Sequence, residues 1–121
     1  MIKESMYVIA VPSLEDSAKF YRDALGFKVH EIGNPGWRMY VKDNCHIMAG
    51  ECPDAIPPRE LGEHSYFAYL VVENAKEYFD QIKSNDVEII KTIKDEPWKM
   101  REFAIRTIDG HRIMIGQRLG E

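Results

Sequence analysis

The sequence predicts an α+β fold made of two βαβββ modules. The order of one strand, one helix and three strands occurs twice in 121 residues, and the period of about 60 residues favours an internal duplication over a solenoid. Each predicted helix begins with a capping pattern, Ser13 with Asp16 in the first and Asn74 with Glu77 in the second. The chain, residues 1–121, is therefore expected to form a single domain.

The first module is predicted over residues 5–50. A run rich in β-formers ends at Pro12, and apolar residues at helical spacing then continue until Gly26, which supplies a C-terminal stop. A two-residue turn at Asp43 and Asn44 joins the last two strands. The predicted elements are a strand over 6–11, a helix over 14–25, and strands over 27–32, 37–41 and 45–50.

A linker is predicted over residues 51–63, where prolines lie among charged residues and no periodicity survives. The second module follows over 64–117. Its helix is expected to end at Asn85, in the left-handed conformation that Gly26 supplies in the first module. A break is predicted over residues 95–98. The predicted elements are strands over 66–72, 87–93, 100–106 and 111–117, with a helix between the first two.

The closing hairpin decides which side chains can face a ligand. It turns at an Asp-Gly dipeptide, which readily adopts the positive φ angles of a tight reversal. Strand alternation buries Phe103 and Ile105 against the core. The opposite face then carries Glu102, Ala104 and Arg106.

Composition excludes several classes of function. The formal charge of −4 and the scattered basic residues provide no surface for a nucleic-acid backbone and no basic anchor for a membrane. No apolar run approaches the roughly 20 residues that span a bilayer, and the first residues lack a signal-peptide pattern, so we expect a cytoplasmic protein. Cys45 and Cys52 lack the spacing of a zinc motif and are expected to be reduced thiols.

Two stretches resemble a known superfamily. Residues 11–29, reading VPSLEDSAKFYRDALGFKV, and the hairpin over 98–117 are similar to the vicinal oxygen chelate superfamily of glyoxalases, extradiol dioxygenases and bleomycin-resistance proteins. The resemblance covers residues 5–117. It implies that each module forms an open half-barrel and that the modules surround a ligand cleft, commonly shared by two swapped chains. It therefore implies a homodimer.

The metal-bearing members of that superfamily hold their ion with His and Glu residues on the first and last strands of each module. The corresponding positions in this chain are Met6, Met48, Tyr66 and Met114. Their thioethers and neutral phenol are weak ligands for the Zn, Ni, Mn or Fe that such sites use. We therefore expect no metal and no other cofactor, as in metal-free bleomycin-resistance proteins.

Histidines leave one alternative open. His46 and His64 each lie two residues from a lost ligand position, so a relocated metal site would need both of them and a carboxylate such as Glu102. Glu102 is also the candidate general base for a metal-free reaction. Whether the chain is an enzyme is therefore left open by the sequence.

The inferred ligand-facing surface is rich in aromatic and sulfur-containing side chains. Trp98 can stack on a planar ligand or close the edge of the barrel. Glu102 and Arg106 can hold a polar ligand group or form a surface pair along their strand. The candidate ligand-binding residues are Tyr40, Met48, Tyr66, Trp98, Glu102, Arg106 and Met114.

The register of the first hairpin affects this set. A slip of one residue at its turn exchanges the two faces of a strand. Met39 and Val41 would then replace Arg38 and Tyr40 on the ligand-facing surface.

Three functions remain possible. The sequence favours a metal-free binding protein that sequesters a small molecule, such as an antibiotic or a planar metabolite, and so acts in antibiotic resistance. The second possibility is a lyase, isomerase or dioxygenase with a relocated metal, or a metal-free enzyme that uses Glu102. The third is a module whose cleft has become an interface with a partner or subunit.

Overall fold

The computed structural model describes residues 1–120 of the chain. The chain divides into two compact units, one over Met1–Pro57 and one from Pro58 onwards. Each unit has one α-helix and one four-stranded sheet, which confirms the α+β fold and the two βαβββ modules. The elements are β1 (Tyr7–Val11), α1 (Leu14–Asp23), β2 (Lys28–Glu31), β3 (Trp37–Lys42), β4 (Cys45–Glu51), a 3₁₀ helix (Pro58–Leu61), β5 (Tyr66–Val71), α2 (Ala75–Lys83), β6 (Glu88–Glu96), β7 (Met100–Arg106) and β8 (Arg112–Arg118).

The two sheets share one topology. Their strand orders are β1-β4-β3-β2 and β5-β8-β7-β6, so the last strand of each module lies between its first and third strands. The first strand runs parallel to the last, and the other neighbours are antiparallel. Within residues 1–120, no helix has the length and apolar character needed to cross a membrane.

Both helices begin at the predicted caps. The Ser13 hydroxyl accepts a hydrogen bond from Asp16 N at 3.2 Å, and Asn74 Oδ1 accepts one from Glu77 N at 3.0 Å. These bonds satisfy backbone donors that have no partner inside the first turn of a helix. The two capping patterns therefore act as the sequence predicted.

A second contact ties the start of each helix to the end of its sheet. Glu51 Oε1 accepts a hydrogen bond from Leu14 N at 2.9 Å. In the second module, Gln117 Oε1 accepts one from Ala75 N, also at 2.9 Å. The same contact occurs in both modules, as expected for a duplicated unit.

Each core lies between the helix and one face of the sheet. In the second module, the Phe79 ring meets the Phe103 ring edge-on with centroids 5.1 Å apart. Phe103 and Ile105 are completely buried, as the alternation of the closing hairpin predicted. The other buried apolar residues of this module are Ala68, Ala75, Ile82, Val87, Ala104, Ile113 and Ile115.

The expectation that Tyr40 faces a ligand is wrong. Its side chain is completely buried on the helix side of the first sheet. Its ring stacks on Tyr21 of α1 with centroids 4.5 Å apart, and its hydroxyl donates a hydrogen bond to the Ser17 hydroxyl at 2.8 Å. Tyr40 therefore belongs to the core under α1.

The register of the first hairpin explains this error. The chain turns at the predicted Asp43 and Asn44, so Tyr40 pairs with Ile47 and Met39 pairs with Met48. Because side chains alternate along a strand, Tyr40 and Met48 lie on opposite faces. The sequence placed the turn correctly but assigned Tyr40 to the wrong face of the sheet.

Three local features differ from the sequence-based expectations. The left-handed residue after α2 is Asp86, with φ of 62°, and not Asn85. Aspartate tolerates this conformation for the same reason as asparagine, because its short polar side chain can bond locally. Strand β6 continues to Glu96 through the predicted break and stops at Pro97, which cannot donate to a ladder. The predicted linker contains the 3₁₀ helix Pro58–Leu61.

We expect Tyr40→Phe to lower the free energy of unfolding by about 1 kcal/mol, because it removes the bond to Ser17 and keeps the stacked ring. Ser17→Ala completes a double-mutant cycle, and the two changes together should cost less than their sum. Urea denaturation measures all four proteins. Strictly additive losses would contradict a direct bond between the two hydroxyls.

Candidate functional site

The face of the second sheet that points away from α2 carries most of the predicted site residues. We call it the helix-free face. Cross-strand pairing of Met114 with Ala104 and Tyr69, and of Glu102 with Gly116, places these residues on it. The helix-free face includes Tyr66, Tyr69, Val71, Glu88, Lys91, Lys94, Glu96, Met100, Glu102, Ala104, Arg106, Arg112, Met114, Gly116 and Arg118.

Glu102 lies at the centre of a hydrogen-bond network on this face. The residue is only 2% exposed. Its Oε1 accepts hydrogen bonds from the Tyr69 hydroxyl at 2.7 Å and from Trp98 Nε1 at 3.1 Å. Its Oε2 accepts one from Lys91 Nζ at 2.6 Å. Both oxygens of this buried carboxylate are therefore engaged.

Lys91 joins Glu102 to a second carboxylate. Its Nζ lies 2.6 Å from Glu96 Oε2, and the Glu96 side chain is only 7% exposed. Burial by itself lowers the pKa of Lys91, but the hydrogen bonds to Glu102 and Glu96 outweigh burial and raise it. The ammonium group therefore stays charged between two carboxylates.

The same bonds keep Glu102 ionised. Burial by itself raises its pKa, but hydrogen bonds from Lys91, Tyr69 and Trp98 outweigh burial, so the pKa lies below its usual value. The pKa of Tyr69 is raised by burial and by its bond to Glu102. A general base needs an oxygen that can reach a substrate proton. The geometry gives Glu102 a positioning role and does not support the predicted role as a base.

Trp98 combines exposure with a fixed orientation. The residue is 60% exposed, although its indole nitrogen bonds to the buried Glu102. Lys91 Nζ lies 5.7 Å from the centroid of the indole ring, within the range of a cation–π contact. The protein therefore presents an accessible aromatic plane whose position is set by two charged side chains.

Gly116 makes room for Tyr69. A Cβ atom at position 116 would collide with the hydroxyl and Cζ of Tyr69, so only glycine allows this ring to lie across β8 and reach Glu102. The first module has a related arrangement. There a Cβ at Gly50 would lie within 2.9 Å of three ring atoms of Trp37. A glycine in the last strand of each module thus accommodates an aromatic ring.

The remaining predicted residues are less closely grouped. Arg106 lies four residues from Glu102 on β7 and does not pair with it. Its Nε is 3.5 Å from Glu88 Oε2, and its Nη1 donates a hydrogen bond to Gly110 O at 3.3 Å. Met48 belongs to the other module, on the face of the first sheet away from α1.

Tyr69 and Lys91 were missed from the sequence for identifiable reasons. Strand β5 has an irregularity between Tyr66 and Ala68, so Phe67 is an additional residue that reverses the alternation after it. Tyr69 consequently reaches the same face as Tyr66. Strand β6 has two irregularities on either side of Lys91, and a simple count along it cannot identify its face.

The donor atoms do not fit the metal site that the resemblance implies. Aligning the two helix caps places Phe67, and not Tyr66, at the position that Met6 has in the first module. A phenyl ring has no lone pair for a metal, and thioethers bind divalent Zn or Mn weakly. Within residues 1–120, no three His, Cys, Asp or Glu side chains form a group that could hold a metal ion. His46 and His64 therefore belong to no group of side chains that could bind a metal ion in this part of the chain.

The two cysteines offer no nucleophile. Both are free, as expected. Burial raises the pKa of the Cys45 thiol to about 11, so it is protonated and unreactive at neutral pH. Cys52 is exposed.

We expect Glu102→Gln to lower the free energy of unfolding by about 2 kcal/mol at neutral pH, because it breaks the pair with Lys91. The folded-state pKa of Glu102 lies below its unfolded value, so its contribution is complete above the unfolded pKa and is lost as the pH falls through the folded pKa. Urea titrations of both proteins between about pH 7 and pH 3 measure the difference.

The matched control for this experiment is Asp95→Asn. It breaks an exposed pair with Arg101 in the same sheet and should cost much less stability than Glu102→Gln, because water and salt screen exposed charges. A gap between wild type and Glu102→Gln that stays constant down to pH 3 would contradict the assignment of a lowered pKa to Glu102.

Solved structures with this fold include proteins of diverse descriptions. TioX from Micromonospora sp. ML1 is 17% identical with a TM-score of 0.73, over 95% of this chain and 99% of that chain. UcmS2 is 22% identical with a TM-score of 0.76, over 96% and 98%. A bleomycin resistance determinant encoded on the transposon Tn5 is 18% identical with a TM-score of 0.78, over 97% and 98%. At these identities the likeness establishes the fold.

Sequence comparison identifies the family directly. A search of curated proteins found no match. A family model matches residues 5–115, nearly the whole length of the chain. That match agrees with the two βαβββ modules and with the structural neighbours. The chain belongs to the Glyoxalase/Bleomycin resistance protein/Dioxygenase superfamily.

Proposed function

We propose that this chain is a metal-free binding protein that sequesters a planar small molecule, such as an antibiotic or an aromatic metabolite, against Trp98 and Tyr69. One observation carries the proposal: an indole that is 60% exposed is held in place by a buried carboxylate. An exposed aromatic ring that only filled a gap in the fold would not need a charged partner.

Because the indole of Trp98 is already held in place, ligand binding loses less conformational entropy. A side chain that is already ordered loses little conformational freedom when a ligand stacks on it. Tyr69 is 38% exposed and is anchored on the same Glu102, so two aromatic rings share one support. Stacking contributes about 0.5–1.5 kcal/mol per ring pair beyond the area that it buries.

The charges near the indole select the type of ligand. Two carboxylates, Glu96 and Glu102, share Lys91, and the more distant Lys94 lies 3.8 Å from Glu96 with most of its side chain in solvent. Salt and water screen such an exposed charge. A neutral or cationic aromatic group therefore fits beside Trp98 better than an anionic one.

The superfamily supports sequestration as the mode of action. A bleomycin resistance determinant has the same fold. Binding alone lowers the concentration of a free toxic molecule, so resistance requires neither a metal nor a reaction. The methionines and the phenylalanine at the inherited ligand positions are consistent with such a role.

We expect Trp98→Ala to weaken ligand binding by about 1 kcal/mol or more, roughly fivefold, and to change the free energy of unfolding less, because the ring is mostly exposed. A thermal-shift panel of planar antibiotics, including bleomycin, and aromatic metabolites identifies the ligand, and calorimetry on chelator-treated protein measures its affinity.

Two variants make this test specific. Trp98→Phe keeps a ring but loses the bond to Glu102, so its affinity should lie between those of wild type and Trp98→Ala. Ile108→Ala removes another exposed apolar side chain of this module, 56% exposed, and should bind normally. Binding that needs an added metal, or an unfolding deficit of 3 kcal/mol or more in Trp98→Ala, would refute the proposal.

We also propose that the chain forms a homodimer. Strands β1 and β5 each form one edge of their sheet, and both expose apolar side chains. Val8 is 65% exposed on β1, and Val71 is 52% exposed on β5. Unpaired edge strands with apolar side chains favour association with another chain.

Sedimentation velocity at micromolar concentration should find a species of twice the mass of the chain. Val8→Lys and Val71→Lys place charges on these edges and should shift the equilibrium toward the monomer. Glu4→Lys, close to β1 in sequence but outside it, serves as the charge control. A monomer at every accessible concentration would contradict the proposal.

A further inference from the structure

Buried nitrogens without hydrogen-bond partners cluster at the turn end of the β7–β8 hairpin. Within residues 1–120, the buried side-chain nitrogens that lack such a partner are Arg106 Nε, His111 Nδ1 and Arg112 Nε. A buried polar atom without a partner costs about 1–3 kcal/mol. These three atoms lie within seven residues, and Arg106 Nε makes an ion-pair contact of 3.5 Å with Glu88 Oε2 in place of a hydrogen bond.

Two of these nitrogens belong to arginines that face each other. Arg106 and Arg112 are direct cross-strand partners on the helix-free face. Side chains at directly opposed positions start about 5 Å apart, and like charges there repel each other. The fold therefore places two arginine side chains at opposed positions of one face, against the electrostatic preference of their charges.

Their neighbours do not neutralise them. Glu88 is shared between Arg106, 3.5 Å from its Oε2, and Arg59, 2.9 Å from its Oε1. Within residues 1–120, Arg112 forms no ion pair, and its recorded contact is with the Tyr66 ring, 5.7 Å from Cζ. Burial lowers the pKa of His111, which leaves that ring neutral at neutral pH. Glu88 therefore pairs with two of these three guanidinium groups, and Arg112 has no ion-pair partner in the described part of the chain.

We propose that Arg106 and Arg112 form a binding site for an oxyanion, the carboxylate or phosphate group of a ligand. A guanidinium presents parallel N–H donors that match two oxygens of such a group. One anion placed between the two arginines would use both buried Nε atoms and remove their mutual repulsion. Tyr66 packs against the far side of Arg112 and limits its movement.

This site is separate from the aromatic surface at Trp98. Arg106 lies four residues from Glu102 along β7, which corresponds to about 13 Å in a strand. The oxyanion site therefore goes beyond the proposed function and does not depend on it. A protein that binds no planar ligand at Trp98 would still bind an anion here.

Titration of the wild-type protein with inorganic phosphate tests the site directly. The Nε–Hε NMR signals of two arginines should shift and saturate when phosphate replaces chloride at constant ionic strength. The melting temperature should rise by about 5 °C when phosphate is in tenfold excess over its dissociation constant. A parallel titration with acetate separates the two sources: saturation by phosphate alone identifies a phosphate group, and saturation by acetate identifies a carboxylate.

Arg112→Gln should lose both responses. In chloride alone it should melt at the same or a higher temperature than wild type, because the substitution relieves a repulsion. Arg101→Gln is the matched control, since Arg101 lies on β7 beside the strand of Arg112 and already has its own partner in Asp95. Arg101→Gln and Trp98→Ala should both keep the phosphate response. Wild-type signals that do not saturate with either anion, or an equal thermal response in Arg112→Gln, would overturn the proposal.

Discussion

Each sheet of this protein buries one face under a single short helix, and the rest of the structure depends on that constraint. Because side chains alternate along a strand, covering Phe103 with α2 requires its neighbours Glu102 and Ala104 to leave the core. The helix is held to the sheet at its first turn by Gln117, and α1 is held in the same way by Glu51. The candidate site residues on the helix-free face owe their positions to this division of the sheet.

The buried carboxylate of Glu102 fixes the orientation of the exposed aromatic side chains Trp98 and Tyr69. An isolated buried charge would be costly, but Glu102 receives three hydrogen bonds, and Lys91 shares its charge with Glu96. The network uses three acceptor sites of Glu102, two of them to hold the aromatic side chains of Tyr69 and Trp98. The arginines at the turn end of the β7–β8 hairpin are less completely satisfied, because Arg106 Nε and Arg112 Nε have no hydrogen-bond partner.

The fold could be predicted from the sequence because its signals are local. Caps at Ser13 and Asn74 and the turn dipeptides act within a few residues, and nothing distant overrides them. The helix-free face was less predictable, because an additional residue at Phe67 reverses the alternation that identifies Tyr69. No local pattern in the sequence predicts such a bulge. The face on which Lys91 lies could not be predicted for the same reason, because two irregularities flank this residue in β6.

The glycine in the last strand of each module has a consequence for how the two halves diverged. Gly50 accommodates Trp37, which comes from the antiparallel neighbour β3, whereas Gly116 accommodates Tyr69, which comes from the parallel neighbour β5 on the other side. A glycine at this position leaves space for one aromatic ring, and a side chain from either flanking strand can fill it. After duplication, the two copies could therefore acquire different aromatic occupants by single substitutions, without any change in topology.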